Sequence, residues 1–498
     1  MLFTTAAFVF LYLPFVMAGF FLIGRFSRGA AAAWLFAASV FFYGYWMPQY
    51  TLLLLGSILV NFMTGKRIGG VPREAPDWRT RAKRWLIAGV TFNLVLLGYF
   101  KYANFFVDSL AAALGRELQI ERILLPIGIS FFTFTQIAFL ADAYQKSLRE
   151  YKPTHYGLFV TYFPHLVAGP VLHHAQMMPQ FQTDATYRWQ FANVAAGTAI
   201  FCLGLLKKVV VADGISPYAD AVFNGAAAGA MPSAAEAWLG SLAYTFQLYF
   251  DFSGYSDMAI GLSWLFNVRL PFNFNSPYKS LNISDFWRRW HMTLSAFLRD
   301  YLYIPLGGNR HGPLRRYANL AITMVLGGLW HGANWTFVFW GALHGVYLGI
   351  NHAFRAVTAG ISAKLDASRV FAVVSWLLTF LAVIAAWVFF RAPTFQAATR
   401  ILTRMADFGG WHLDVGDNRL LWNAGLDMTR GFWVCAVLAA VTVLGPNSNL
   451  IGERLRALCE RDTLRRSLAF GFAATLVVFL IVLNESRDAV SAFIYFNF

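Results

Sequence analysis

Along most of this chain the apolar residues come in long blocks, not in the alternating or one-faced patterns of soluble strands and helices. Residues 86–100 carry no charge, and neither do residues 371–390. A helix rises ~1.5 Å per residue and the hydrocarbon core of a bilayer is ~30 Å thick, so about 20 apolar residues make one span. The block 371–390 has that length unaided, and Trp376 and Trp387 stand towards its two ends. The first block, 6–23, has no basic residue before it and Arg25 and Arg28 after it. That polarity is the reverse of a cleavable signal, so it reads as a first membrane span. Further spans are expected over 31–46, 51–64 and 467–483.

The short polar stretches between the blocks give an orientation. Residues 66–84 hold Lys66, Arg67, Arg73, Arg79, Arg81, Lys83 and Arg84 against Glu74 and Asp77, which places this loop in the cytoplasm. Counting back through two spans puts Arg25 and Arg28 in the cytoplasm too, and the N-terminus outside. Residues 453–466 carry Arg454, Arg456, Arg461, Arg465 and Arg466 and are expected inside, so the last span leaves the C-terminus outside. Residues 394–429 then fall outside with Asp407, Asp414, Asp417 and Asp427, and 394–405 has the pattern of an amphipathic helix suited to a membrane surface.

Between 126 and 345 the pattern changes. The apolar runs are short, and Gly and Pro interrupt them, as at Pro126, Gly128, Gly169 and Pro170. Irregular backbone at membrane depth must be buried in protein or line a wet cavity. Re-entrant or half-length helices around a cavity are therefore expected, flanked by ordinary spans. With no internal repeat, one domain covering 1–498 is the simplest division, with its motif-rich core at 125–345.

Composition agrees with the membrane reading. The 498 residues are 58% hydrophobic and 13% charged, against about 25% charged in soluble domains. The net charge of +15 does not point to nucleic acid, because the basic residues sit in short loops between apolar runs and not on one face. Cys202, Cys435 and Cys459 have neither pairing nor metal-ligand spacing. His173 and His174 lack a third ligand at a sensible spacing, so no metal site is expected.

Ionisable groups within apolar sequence are the informative exceptions. His331 follows an apolar arm of about 13 residues, ~20 Å as helix, and precedes another, with Gly327, Gly328 and Gly332 allowing close approach. A neutral imidazole is a suitable general base; a hydrogen-bonded core histidine has the same sequence context. His291 lies among Trp287, Arg288, Arg289 and Trp290, a stretch that equally reads as interfacial anchoring. Asp251 and Asp257 interrupt another apolar run, and a buried ion pair holding broken helices explains them more simply than catalysis. There is no Gly-x-Ser-x-Gly, phosphate-loop or Cys-His signature, which favours direct transfer over a covalent acyl-enzyme.

At these residues the chain resembles the membrane-bound O-acyltransferase family, and within it the alginate O-acetylase branch. The resemblance is carried by residues 125–134 (Leu-Pro-Ile-Gly-Ile-Ser-Phe-Phe-Thr-Phe), 162–170, 251–257, 271–278 (Pro-Phe-Asn-Phe-Asn-Ser-Pro-Tyr), 285–295, 299–308 and Trp330-His331-Gly332. It extends to the tail 493–498, where Asn497 stands in place of the usual Gln. The resemblance implies an all-α polytopic membrane protein, a ring of roughly ten or more transmembrane and re-entrant helices around a central funnel. It maps the family's membrane-embedded catalytic histidine to His331 and its second functional histidine to His291. Asp251, Tyr255, Asn273, Trp287, Arg289 and Trp330 in the same motifs, and Asn334 two residues beyond Gly332, are candidates for contacting substrate.

The expected reaction is acetyl transfer from a cytoplasmic thioester, acetyl-CoA or another acyl thioester, to hydroxyls of an alginate-like exopolysaccharide outside a bacterial inner membrane. His331 is expected to deprotonate the acceptor while His291 orients the donor or stabilises developing charge. Transfer is direct or passes through a periplasmic partner of the SGNH-hydrolase type. No bound cofactor is expected. The competing readings are a D-alanyl transferase of teichoic-acid type fed by an acyl carrier protein, and a transporter or scaffold.

Overall fold

The computed structural model describes residues 2–116, 118, 121–146, 150, 152–407, 409, 419–486 and 491–494. Asp414, Asp417 and Asn497 lie outside the described residues. Among those described there are helices and connecting segments and no strand. The chain is an all-α, multi-pass membrane protein. Six helices are long and apolar enough to cross a bilayer: Ala7–Gly24, Pro48–Gly69, Trp78–Leu114, Phe191–Ala227, Arg369–Arg391 and Thr463–Glu485. A seventh span results if Met428–Leu444 and Ser448–Arg461, bent by 60° at their junction, cross as one. Outward faces of these helices carry large apolar side chains such as Phe15, Leu378 and Phe472, each more than 60% exposed. Lipid tails solvate such faces, which would be aggregation surfaces in water.

The chain divides into two compact units. The first comprises Met1–Leu205, Tyr255–Phe272 and Ile451–Asn497. Within it Asn61 and Asn93 face each other across two helices and exchange amide hydrogen bonds of 3.2 and 2.6 Å. Each also donates to a carbonyl four residues back, Ser57 and Gly89. Self-satisfied amides of this kind join helices where lipid offers no hydrogen bonds. Residues 162–172 have no helix, yet all are buried. Their backbone turns tightly, with Gly169 N–H donating to the His165 carbonyl at 3.0 Å. A Cβ at Gly169 would meet His165 Cα at 2.3 Å, so only glycine fits there. This is the buried irregular backbone that the Gly/Pro-broken sequence predicts.

The second unit comprises Leu206–Gly254 and Asn273–Leu450. Its centre is a hairpin of two helices, Gly312–His331 and Trp335–Val357. Asn334 starts the second helix, its Oδ1 accepting from the Thr336 N–H at 3.0 Å, as an N-cap asparagine does. The helices meet through glycine: a Cβ at Gly328 would lie 2.3 Å from the Phe337 carbonyl oxygen, and one at Gly341 equally close to that of Met324. The segment expected to be amphipathic forms the helix Phe395–Met405, capped by Thr394. Its apolar residues Ala397, Ala398, Ile401 and Met405 are buried, so that face covers protein and not a membrane surface.

Candidate functional site

The second unit brings the two histidines together. His331 is the last residue of Gly312–His331, at the point where Gly332 leaves the helix in extended conformation. It is 2% exposed. Its ring lies 5.0 Å, centroid to centroid, from Trp330, 5.2 Å from Trp340 and 5.2 Å from Phe390. His291 is fully buried. Its ring centroid lies 6.4 Å from that of His331, 6.1 Å from Trp330 and 4.8 Å from Phe252.

Local backbone explains why a histidine occupies 291. Helix Ile283–Arg289 ends there and Met292–Leu298 begins. The junction residue has φ +44°, ψ +54°, the left-handed region where Asn, Asp and His are enriched among non-glycine residues. Residues 273–275 run alongside and hold the junction: Asn275 N–H donates to the Arg289 carbonyl and Met292 N–H to the Asn273 carbonyl, both at 2.9 Å. The Asn273 side chain also reaches His291, with Oδ1 3.1 Å from Nδ1.

The other candidates fall into distinct places. Trp330 packs beside both histidine rings. Trp287 donates from Nε1 to His344 Nδ1 at 3.3 Å and packs edge-on against Trp340. Arg289 pairs with Asp285 at 3.0 Å, one helical turn back. Asn334 donates its amide to the Pro393 carbonyl at 3.0 Å besides capping its helix. Asp251 is buried and shares Lys208 Nζ with Asp213, each carboxylate oxygen 2.8 Å from that nitrogen. This is a buried ion pair of the kind its sequence context suggests. Lys208 sits in a π-helical turn, Lys207–Ala212, within the long helical stretch Phe191–Ala227. Tyr255 belongs to the first unit, where it is buried against Phe3 and Phe493 with ring centroids 5.1 and 4.8 Å away.

Trp340, Trp387 and Phe390, which the sequence did not mark as candidates, complete the aromatic surround with His344, a weaker histidine candidate in the sequence; Trp340 lies 5.7 Å from Trp387 and 4.7 Å from His344. The pair Trp340/His344 stands four residues apart on one helix, a spacing that puts both on one face and could have flagged it. Trp387 and Phe390 belong to a block that reads as an ordinary lipid-facing span and carry no such signal.

Two neutral-capable imidazoles in an aromatic, water-poor surround, with no activated serine or cysteine beside them among the described residues, suit proton transfer to and from a bound reactant. Such a pair, on a polytopic helical membrane protein, fits a membrane-embedded transferase. The profile of the MBOAT, membrane-bound O-acyltransferase family, matches residues 77–391. The chain is 38% identical to the peptidoglycan O-acetyltransferase of Helicobacter pylori over 100% of its own length and 98% of that protein's. It is 46% identical to the "Probable alginate O-acetylase" of Pseudomonas aeruginosa over 83% of this chain and 76% of that one. A more distant relative, the teichoic acid D-alanyltransferase of Bacillus subtilis, is 29% identical over 46% of this chain and 59% of its own. The chain belongs to the membrane-bound O-acyltransferase family and is an O-acyltransferase.

Proposed function

We propose that this protein acetylates a polysaccharide at the bacterial inner membrane. The donor is a cytoplasmic acetyl thioester, acetyl-CoA, and the acceptor is a hydroxyl of an alginate-like exopolysaccharide or of a periplasmic SGNH-type partner that relays the group. The observation that carries the reading is the buried His331–His291 pair, its rings 6.4 Å apart within an aromatic surround. Full-length likeness to O-acetyltransferases supports acetyl over alanyl transfer, since likeness to the alanyl transferase covers less than half the chain.

His331 accepts the proton of the acceptor hydroxyl as its oxygen attacks the thioester carbonyl. The C–O bond forms, the tetrahedral intermediate collapses, and the C–S bond breaks. The proton held by His331 passes to the departing thiolate, so the products are an acetyl ester and a free thiol. His291 orients the reactants. Burial keeps water from competing as acceptor. A cytoplasmic donor and an outer acceptor meet at one site if 66–84 and 453–466 face the cytoplasm and both termini face the periplasm.

Mass spectrometry of the surface polymer from cells with and without the protein tests this. The expected result is loss of acetyl esters, restored by the wild-type chain and not by His331→Gln at equal protein level. An alanyl adduct would identify the carrier-protein-fed alternative, and an unmodified polymer in both strains would refute polysaccharide transfer.

A further inference from the structure

The Asn273 side chain carries more information than its burial alone. Its Oδ1 meets three groups: the Thr293 backbone N–H at 3.3 Å, the Thr293 hydroxyl at 2.9 Å and His291 Nδ1 at 3.1 Å. An Asn amide can be placed in either of two orientations, and the oxygen must be identified by its partners. A backbone N–H only donates, so the atom it meets is the oxygen. A carbonyl oxygen only accepts, so His291 Nδ1 must carry a hydrogen, whether the ring is neutral or protonated. In the neutral ring Nε2 is then the unprotonated nitrogen.

We infer that Asn273 is a positioning residue: it holds His291 as the Nδ1–H tautomer, so that Nε2 acts towards the reactants as a hydrogen-bond acceptor. This rests on the acyl-transfer reading of the same site and narrows what His291 does in it. A neutral His291 with a bare Nε2 cannot donate a hydrogen bond to the oxyanion of the tetrahedral intermediate. It can accept one from the acceptor hydroxyl and so aim that hydroxyl at the thioester carbonyl. The partner residues make the restraint stiff. Asn273 is 1% exposed, its carbonyl binds Met292 N–H, and its side chain fixes the ring on the residue held at φ +44°. Asn273 therefore acts through His291 and is not itself a substrate contact.

Two readouts test this. The first needs no activity: solid-state NMR of the full chain in lipid, with ring-15N histidine, and the His291 signal identified by its loss in His291→Gln. The wild type should show Nδ1 protonated and Nε2 bare at neutral pH. Asn273→Leu, which keeps size and removes the acceptor, should give a mixture of tautomers, and Asn273→Asp should restore the wild-type pattern at a pH high enough for its ring to be neutral. A wild-type Nε2–H signal, or an unchanged pattern in Asn273→Leu, would overturn the inference. The second readout is kinetic. Loss of one oriented hydrogen bond to the ring should lower kcat about 10- to 100-fold in Asn273→Leu, with KM nearly unchanged. Asn273→Asp should keep most of kcat and move the acidic limb of the pH profile to higher pH, because a carboxylate beside Nδ1–H favours the imidazolium and the neutral ring appears later. A raised KM with kcat intact would make Asn273 a substrate contact. Equal losses in Leu and Asp variants with an unmoved pH limb would make it structural only. If the wild type transfers no acetyl group, the function proposed above fails while the spectral readout still decides the tautomer.

Discussion

Lys208 offers a quantitative test of how the second unit is held together. Its ammonium lies 2.8 Å from a carboxylate oxygen of both Asp213 and Asp251, and the side chains are only 2%, 8% and 2% exposed. Two oxygens each 2.8 Å from one nitrogen lie no more than about 5.6 Å apart. Lys208→Met leaves both carboxylates without the cation they share. At an effective dielectric near 20, two unit charges at about 5.6 Å repel by about 3 kcal/mol. Removing one partner of a buried pair costs about 3–5 kcal/mol in general, so that range is expected for Lys208→Met. The triple change Lys208→Met, Asp213→Asn, Asp251→Asn removes all three charges and should recover most of the loss, because the penalty belongs to uncompensated charge. Thermal unfolding of purified protein in detergent, followed by loss of the monodisperse species, measures both. If the single and triple variants are equally unstable, or if Lys208→Met matches wild type, the electrostatic reasoning is wrong. Asp251→Asn with normal stability but lost transfer would return Asp251 to a role with substrate.

His331→Gln should lower acyl transfer by about 10²–10⁴-fold, the usual worth of a general base, with expression and thermal stability near wild type; activity within a few-fold of normal would remove His331 from the proton-transfer step. Gly328→Ala should destabilise the hairpin by about 1–3 kcal/mol or more, because the new methyl would sit 2.3 Å from the Phe337 carbonyl oxygen. Gly349→Ala on the partner helix has no atom within 4 Å of its new methyl and should be neutral or slightly stabilising in the same melting assay. For orientation, a single cysteine at position 75 should resist a membrane-impermeant thiol reagent added from the periplasm, and one at position 424 should react; the reverse pattern would invert the topology.

That the chain is a multi-pass membrane protein was legible along it for a physical reason. Apolar blocks of span length report the solvent directly, because lipid demands them and water does not reward them. An imidazole at 331 between two apolar arms, with glycines at 328 and 332, stands out in such sequence because a polar group there is costly unless used. The broken pattern around 163–170 marked irregular backbone, which the structure buries in protein, but the half-length helices expected across 126–345 are not general there, because Phe191–Ala227 and Ala234–Leu265 run as long helices.

What the sequence could not show were partners far apart in the chain. Asp251 in isolation suggested an ion pair, but nothing along the chain tied it to Lys208, 43 residues earlier in a π-helical turn of an apolar helix. Trp387 and Phe390 looked like lipid-facing residues, and only the fold turns them inward against Trp340 and His331. Asn273 looked like one polar residue among several in a motif. Its Oδ1 becomes decisive once the 273–275 segment runs beside the 289–292 junction and brings the Thr293 N–H and His291 Nδ1 to the same oxygen. Composition and spacing are properties of neighbours along the chain, whereas a tautomer or an ion pair depends on which atoms meet across it, and only tertiary structure supplies that.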